Sequence, residues 1–252
     1  MLAMNTLIRR MAKEGARYYY FVEAQLPHRY LFSRQQTKLF GALSYLDVLS
    51  FIHTRHGFNR YLEIGVDTGV SLSLSRAKWN YGVDPAFSVQ CPLDGNYELL
   101  KTTSDKFFAE YAGEPFDFVF VDGLHVAAQV SNDLFNSLRN LAPNGLIAVH
   151  DTVPFNRIVA SPRRYTTAWT GDVYRALVPY IERCSESILT LLVPPSGLTL
   201  LKHPRRFLEG MHSPLRPSDL TYDECMRVIL STSAKANDIP TLERLLSGFY
   251  SS

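Results

Sequence analysis

Tyr61-Leu62-Glu63-Ile64-Gly65-Val66-Asp67-Thr68-Gly69 is an apolar run that passes into acids and two glycines four apart. Gly82-Val83-Asp84-Pro85 brings a second apolar run to an acid a short way downstream. That pairing is what a β-α-β unit needs when its ligand carries a ribose. The glycines let the backbone turn sharply and approach the ligand closely. Asp84, at the tip of the second strand, is placed to accept hydrogen bonds from ribose hydroxyls.

The glycine spacing narrows the ligand. A dinucleotide site needs G-x-G-x-x-G to seat a pyrophosphate at a helix N-terminus. Here Glu63 and Asp67 stand where a phosphate would be repelled. A cationic ligand suits the run better, and S-adenosylmethionine carries both a sulfonium and an amino group. The run resembles the first motif of class I methyltransferases. The expected cofactor-binding set is Glu63, Gly65, Asp67, Gly69 and Asp84, with Ser104 and Asp105 after the third strand reaching the adenine end, and Asp122.

Composition bounds the alternatives. With 252 residues, 46% hydrophobic and 20% charged, the chain can bury one substantial α/β core plus decoration. The formal charge of +2 and the dispersed Lys and Arg argue against a nucleic-acid partner. Cys91, Cys184 and Cys225 are odd in number and far apart, so neither a disulfide framework nor a zinc cluster is expected and a reducing cytoplasm fits. No apolar run approaches the length of a membrane span. Arg9, Arg10, Lys13, Glu14 and Arg17 interrupt the N-terminus against a secretory segment.

The chain reads as a single domain with three zones. Residues 1–59 are helical in pattern, with Leu7, Met11, Leu39, Leu43, Leu46, Leu49 and Ile52 at three- and four-residue intervals. These helices would cap the site or form a dimer surface, to which the aromatic cluster Tyr18 to Phe21 could belong. Residues 60–204 alternate strand and helix patterns, which predicts a doubly wound, mostly parallel, Rossmann-like sheet. Strands are expected at Arg60–Ile64, Tyr81–Asp84, Tyr97–Lys101, Phe116–Val121, Leu146–His150, Ile188–Val193 and Gly197–Lys202, and helices at Ala127–Leu141 and Gly171–Arg183. The last two strands form an antiparallel hairpin about the turn signal Pro194-Pro195-Ser196-Gly197. Residues 205–252 form a helical extension, with a capping box at Thr221 and Glu224 and a second start at Asp238.

A second constellation carries the chemistry. Phe118 to Asp122, then His125, and Leu146 to His150, then Asp151, both run from apolar strand to acid. Neighbouring parallel strands end at one crevice, so Asp122, His125, His150 and Asp151 should converge beside the cofactor. Two carboxylates and an imidazole suit Mg2+ or Mn2+. Asp122 and Asp151 are the metal candidates. His150 is a third only if the chain bends after it, because adjacent strand residues face opposite ways. His125, with an ordinary pKa of about 6.5, suits a general base.

Over about Arg60 to Leu201 the chain resembles the methyltransferase family that includes the macrocin-type sugar O-methyltransferases and the cephalosporin hydroxylase-like proteins. The resemblance rests on Glu63 to Gly69, Gly82 to Pro85, Val121 to His125, Asp133-Leu134, Pro143 to Gly145, Val149 to Thr152 and Trp169 to Val173. It implies a class I fold, S-adenosylmethionine as methyl donor, and a divalent metal at Asp122 and Asp151 with His125 as base. The chain departs from the pattern at His150, where a metal-dependent member can carry a carboxylate, at Asn144 in a usual Pro-Gly-Gly turn, and at Val126 and Ala127 in place of an aromatic. The activity expected is O-methylation of a small hydroxylated acceptor such as a sugar or natural product. The loop Thr152–Thr170, with Arg157, Arg163, Arg164, Tyr165 and Trp169, would act as a lid. A metal-dependent hydrolase or oxygenase using the same acids and histidines, and a non-catalytic S-adenosylmethionine-binding module, remain open from sequence alone.

Overall fold

The computed structural model describes residues 39–251. Leu7, Met11 and the aromatic cluster Tyr18 to Phe21 lie outside the described residues. Helix α1 (Tyr45–Arg55) opens on a capping box: the Ser44 amide donates to Asp47 Oδ2 at 2.8 Å, and the Asp47 amide to Ser44 Oγ at 3.2 Å. Its buried face, Val48, Leu49 and Ile52, packs on one side of a central sheet.

That sheet has eight strands: β1 (Arg60–Ile64), β2 (Trp79–Val83), β3 (Tyr97–Leu100), β4 (Phe116–Val121), β5 (Leu141–His150), β6 (Ile188–Leu191), β7 (Leu198–Lys202) and β8 (Ser233–Ala234). Their spatial order is β3-β2-β1-β4-β5-β7-β6-β8. The first five are mutually parallel, and β7 enters antiparallel between β5 and β6. This is a Rossmann-like α/β fold with the expected C-terminal hairpin. The parallel pairing of β8 with β6 had no signal in a two-residue strand.

Alternation along β4 divides the core. Phe118 and Phe120 join Tyr61 and α1, together with Leu242, Leu246 and Phe249 of α7 (Ile239–Ser251). Val119 and Val121 face the other layer, built by α3 (Ala127–Arg139), α4 (Val173–Cys184), α5 (Pro204–Leu208) and α6 (Tyr222–Ser231). The short helix α2 (Ser104–Glu110) bridges β3 and β4. The Thr221 and Glu224 capping box opens α6 as expected, and Asp238 accepts from the Thr241 amide in the first turn of α7.

Two expectations need correction. The crossover from β1 to β2 is not an α-helix: it holds one 3-10 turn, Leu72–Leu74. Gly65, Asp67 and Gly69 all take positive φ there. The serines that alternate with leucine spend their hydroxyls locally, Ser73 on the Val70 carbonyl and Ser71 on Glu63, in competition with helix formation. Pro143 to Gly145 is likewise no separate turn before a strand. Strand β5 already begins at Leu141, and its register on β4 jumps from Phe116 with Leu141 to Phe118 with Leu146, so the intervening residues bulge out.

Candidate active site

A cavity of about 900 Å3 opens at the carboxyl ends of the parallel strands. One end is the loop after β1. Gly65 needs its φ of +91°, and a Cβ there would meet the Asp122 carbonyl at 2.1 Å, so only glycine lets this loop close on the end of β4. Asp84 holds the loop from the tip of β2. Its Oδ2 accepts from the Val66 and Asp67 amides at 3.0 and 3.1 Å, and its Oδ1 from the Ala86 amide at 2.7 Å. Three of the roughly four acceptor positions of a carboxylate are thereby taken, which leaves one for a ligand hydroxyl.

Gly65, Asp67, Asp84, Ser104, Asp105 and Asp122 all line the cavity. Glu63 and Gly69 do not. Glu63 is fully buried behind the loop, where the hydroxyls of Tyr61 and Ser71 donate to it at 2.6 and 2.7 Å. Burial raises its pKa to about 8, against the lowering effect of those two hydrogen bonds. Its place is beneath the loop, as a neutral acid at neutral pH. At the end of the cavity near β3, Ser104 donates to buried Asp133 at 2.6 Å, and the Gln129 amide group reaches Ser104, Asp105 and Asp133 at 3.1–3.2 Å. Burial raises the Asp133 pKa to about 6 despite the bonds from Ser104 and Gln129.

The other end gathers all four chemistry-bearing residues. Asp151 takes φ +60°, and this left-handed residue supplies the bend that turns both His150 and Asp151 into the cavity. His150 Nδ1 lies 3.2 Å from Asp122 Oδ1 and 3.7 Å from Asp151 Oδ1. His125 spans the same acids, with Nε2 3.4 Å from Asp122 Oδ1 and Nδ1 3.2 Å from Asp151 Oδ2. Burial alone would raise Asp122, but the charge of His150 and the hydrogen bonds from both imidazoles bring its pKa to about 2. Burial alone would lower His125; the hydrogen bond to Asp122 and the charge of Asp151 overcome it and raise it to about 9. His150 moves upward from the same contest, with the charges of Asp122 and Asp151 outweighing burial.

Packing fixes both imidazoles. The His150 ring is stacked on Tyr45 of α1, centroids 4.0 Å apart and planes 26° apart. His125 lies against Trp169, and its Nδ1 is 3.2 Å from the Trp169 carbonyl. The segment beyond Trp169 grips the same turn: Asp172 Oδ1 accepts from the Ala127 amide at 2.8 Å, capping α3 from a distance. Ser196, in the hairpin turn, donates to Asp151 Oδ1 and lies 3.5 Å from His150 Nε2.

Tyr45, Gln129 and Ser196 went unrecognised in the sequence. Tyr45 sits in an apolar helical pattern and Ser196 in what reads only as a turn. The hairpin itself carried a usable signal, because a strand antiparallel to β5 must start over the carboxyl end of β5, and Leu198 indeed pairs with His150.

The donor set suits a divalent cation. Donor atoms of Asp122, His125 and Asp151 all lie within 4.8 Å of one another, and two carboxylates with an imidazole are a set such an ion accepts.

Residues 62–152 match the family model of a methyltransferase domain. The matched segment runs from within β1 past Asp151 and holds the loop, Asp84 and the four-residue cluster, while Tyr45, Trp169 and Ser196 lie outside it. Among solved structures, cofactor-bound Rv0187 from MTB is 15% identical with a TM-score of 0.47, covering 75% of this chain and 88% of that one. The O-methyltransferase from Bacillus cereus in complex with SAH is 14% identical with a TM-score of 0.44, covering 74% and 97%. The O-methyltransferase TomG from Streptomyces achromogenes, involved in tomaymycin synthesis and solved with SAM, is 17% identical with a TM-score of 0.46, covering 72% and 89%. No curated protein matches the chain. Among the described residues no helix is long and apolar enough to cross a membrane.

Proposed function

We propose that this chain is an S-adenosylmethionine-dependent O-methyltransferase acting on a small hydroxylated acceptor, of sugar or natural-product type, with help from a divalent cation. The observation that carries this reading is one continuous cavity, with an acid-rich glycine loop at one end and the Asp122, His125, His150 and Asp151 cluster at the other. The methyltransferase-domain match over both ends supports it. We further propose that the whole chain forms one catalytic unit, with helix α1 before β1 and the helices after β7 serving as its extensions.

Asp84 and the loop amides it fixes would hold the ribose, Asp67 would face the cationic half of the donor, and Ser104, Asp105 and Gln129 would bound the adenine. When bound, S-adenosylmethionine would supply the methyl group for an acceptor oxygen and be released as the thioether, and the acceptor's proton would pass to the protein. His125 is the residue to take that proton. Its Nδ1 faces two acceptors at 3.2 Å, the Trp169 carbonyl and Asp151 Oδ2, against one more distant acceptor, Asp122 Oδ1, for Nε2, so Nδ1 keeps its hydrogen and Nε2 is the basic atom of the neutral ring. With Asp122 and Asp151 uncompensated the ring is held as an imidazolium; neutralising them removes the cause of its raised pKa and restores a base. A cation bound by Asp122 and Asp151 would orient the acceptor oxygens and increase the acidity of the one that reacts. Trp169, Phe155 and Val70 give the acceptor an apolar wall.

The test is calorimetric titration of the purified protein with S-adenosylmethionine, beside Asp84→Asn, followed by transfer of labelled methyl to catechol and sugar acceptors. Saturable binding that the variant weakens, with transfer lost in His125→Ala, is expected. Absence of binding would overturn the reading.

A further inference from the structure

The cluster contains two imidazoles among its donors, and their hydrogen bonds decide which ring atoms face the acids. Ser196 has a single hydroxyl hydrogen, and it is given to Asp151 Oδ1. Toward His150 Nε2, 3.5 Å away, Ser196 therefore presents a lone pair, so Nε2 is the ring nitrogen that carries hydrogen. In the neutral ring Nδ1 is then bare, and it is the atom aimed at Asp122 and Asp151. The stack on Tyr45 fixes the plane of the ring, and the left-handed Asp151 places the adjacent carboxylate on the same side. The hydrogen bond from Ser196 engages Asp151 Oδ1, while Oδ2 faces His125 Nδ1 at 3.2 Å. An imidazole with one nitrogen bonded behind it and the other facing two carboxylates has the arrangement of a metal-ligating histidine.

We propose that His150 Nδ1 is a ligand alongside Asp122 and Asp151, and that this nitrogen donor makes the site selective for a transition-metal dication over Mg2+. Mg2+ demands oxygen donors and keeps its waters, whereas imidazole suits Fe2+, Co2+, Ni2+ and Zn2+. Ser196 is a positioning residue for two ligands at once, through His150 Nε2 and Asp151 Oδ1. His125 remains the base. The inference rests on reading Asp122 and Asp151 as holders of a cation, and it replaces the Mg2+ or Mn2+ expected from sequence.

The experiment is direct ion binding without methyl donor or acceptor, using Co2+ and Mg2+ as probes, by calorimetry and by the visible absorption of bound Co2+. Even an all-oxygen site prefers Co2+, so the informative quantity is how the ratio of the two affinities changes on substitution. In His150→Glu the preference for Co2+ is expected to shrink about tenfold or more, with the Co2+ spectrum shifting as a nitrogen donor is lost. Ser196→Ala keeps His150 and is expected to weaken Co2+ binding by about 10–100-fold. It also keeps the proposal testable should His150→Glu not fold. An unchanged ratio and spectrum in His150→Glu, unchanged Co2+ affinity in Ser196→Ala, or no binding of either ion to the parent protein would overturn the proposal. S-adenosylmethionine binding to the metal-free protein, measured separately, reports on the methyltransferase reading, so the two can fail independently.

Discussion

Tyr45 and His150 are stacked face to face at 4.0 Å, although one belongs to the helix before the sheet and the other to the end of β5. Helix α1 therefore contributes to the site as well as to the core. Burial and the charges of Asp122 and Asp151 push the Tyr45 hydroxyl well above the ordinary tyrosine range, so it stays a neutral phenol. Such an aromatic contact is worth about 0.5–1.5 kcal/mol beyond the area it buries. Tyr45→Phe should keep the melting temperature and cation affinity near those of the parent. Tyr45→Ala should lower both, as measured by thermal melts and ion titration. Equal behaviour of the two variants would show that the stack does not set the His150 ring.

Glu63 makes a different prediction, about stability. Its carboxyl is raised from 4.5 to about 8 by burial, so between those values the folded state keeps a proton that the unfolded state has released. The stabilisation is full below the lower value and is lost as pH rises through the upper one. Glu63→Gln retains the neutral form and should flatten the decline in melting temperature across that window. A decline of unchanged steepness in the variant would place the titrating group elsewhere.

The legibility of the sequence followed the kind of force involved. Strand positions in the parallel sheet were readable from short runs rich in aromatic and aliphatic residues, unbroken at the ends of β4 and β5, and their carboxyl ends then located Asp84, Asp122, His125, His150 and Asp151 together. The missing helix after β1 was not readable from the glycines alone; the Ser-Leu alternation from Ser71 to Ser75 was the local signal against it. Glu63 has the same residue type in a ligand-facing and a buried role, and only the direction of its side chain beneath the loop separates them. Tyr45 and Ser196 reach the site through tertiary contacts that no local pattern encodes.

The loop after β5 divides its arginines. Arg164 lines the cavity, the one Lys or Arg to do so among the described residues. Arg157 instead pairs with Asp223 and lies over Tyr222, and Arg163 does not line the cavity. Of the arginines expected to serve a lid, Arg164 is thus the one placed to meet an acceptor. If the acceptor carries a carboxylate or phosphate, one charge-assisted hydrogen bond of about 1.5 kcal/mol makes Arg164→Ala raise KM about tenfold. Arg163→Ala should leave KM unchanged, and the Arg164 effect should fade with added salt. Equal kinetics of the two variants on anionic and neutral acceptors would remove an electrostatic role for the loop.

Gly171 gives the sharpest separation of cofactor binding from chemistry. It takes φ +61°, and a Cβ there would stand 1.7 Å from the His125 carbonyl oxygen, so the turn that carries the proposed base is packed directly on this glycine. The left-handed conformation alone costs an alanine about 1–2 kcal/mol, and relief of the clash must displace the His125 backbone or the Trp169 segment. Displacement of about 1 Å at a reacting group can cost a hundredfold in rate. Gly171→Ala should therefore lower both melting temperature and kcat. The atoms nearest a Gly171 Cβ all belong to His125 and none to the loop from Gly65 to Gly69 or its Asp84 latch, so S-adenosylmethionine affinity should hold in whatever fraction remains folded. Loss of kcat with retained cofactor binding, read by single-turnover transfer and calorimetry on the same preparation, is the expected pair of results. Parallel loss of both would mean that the turn supports the whole cavity and not the position of His125 alone.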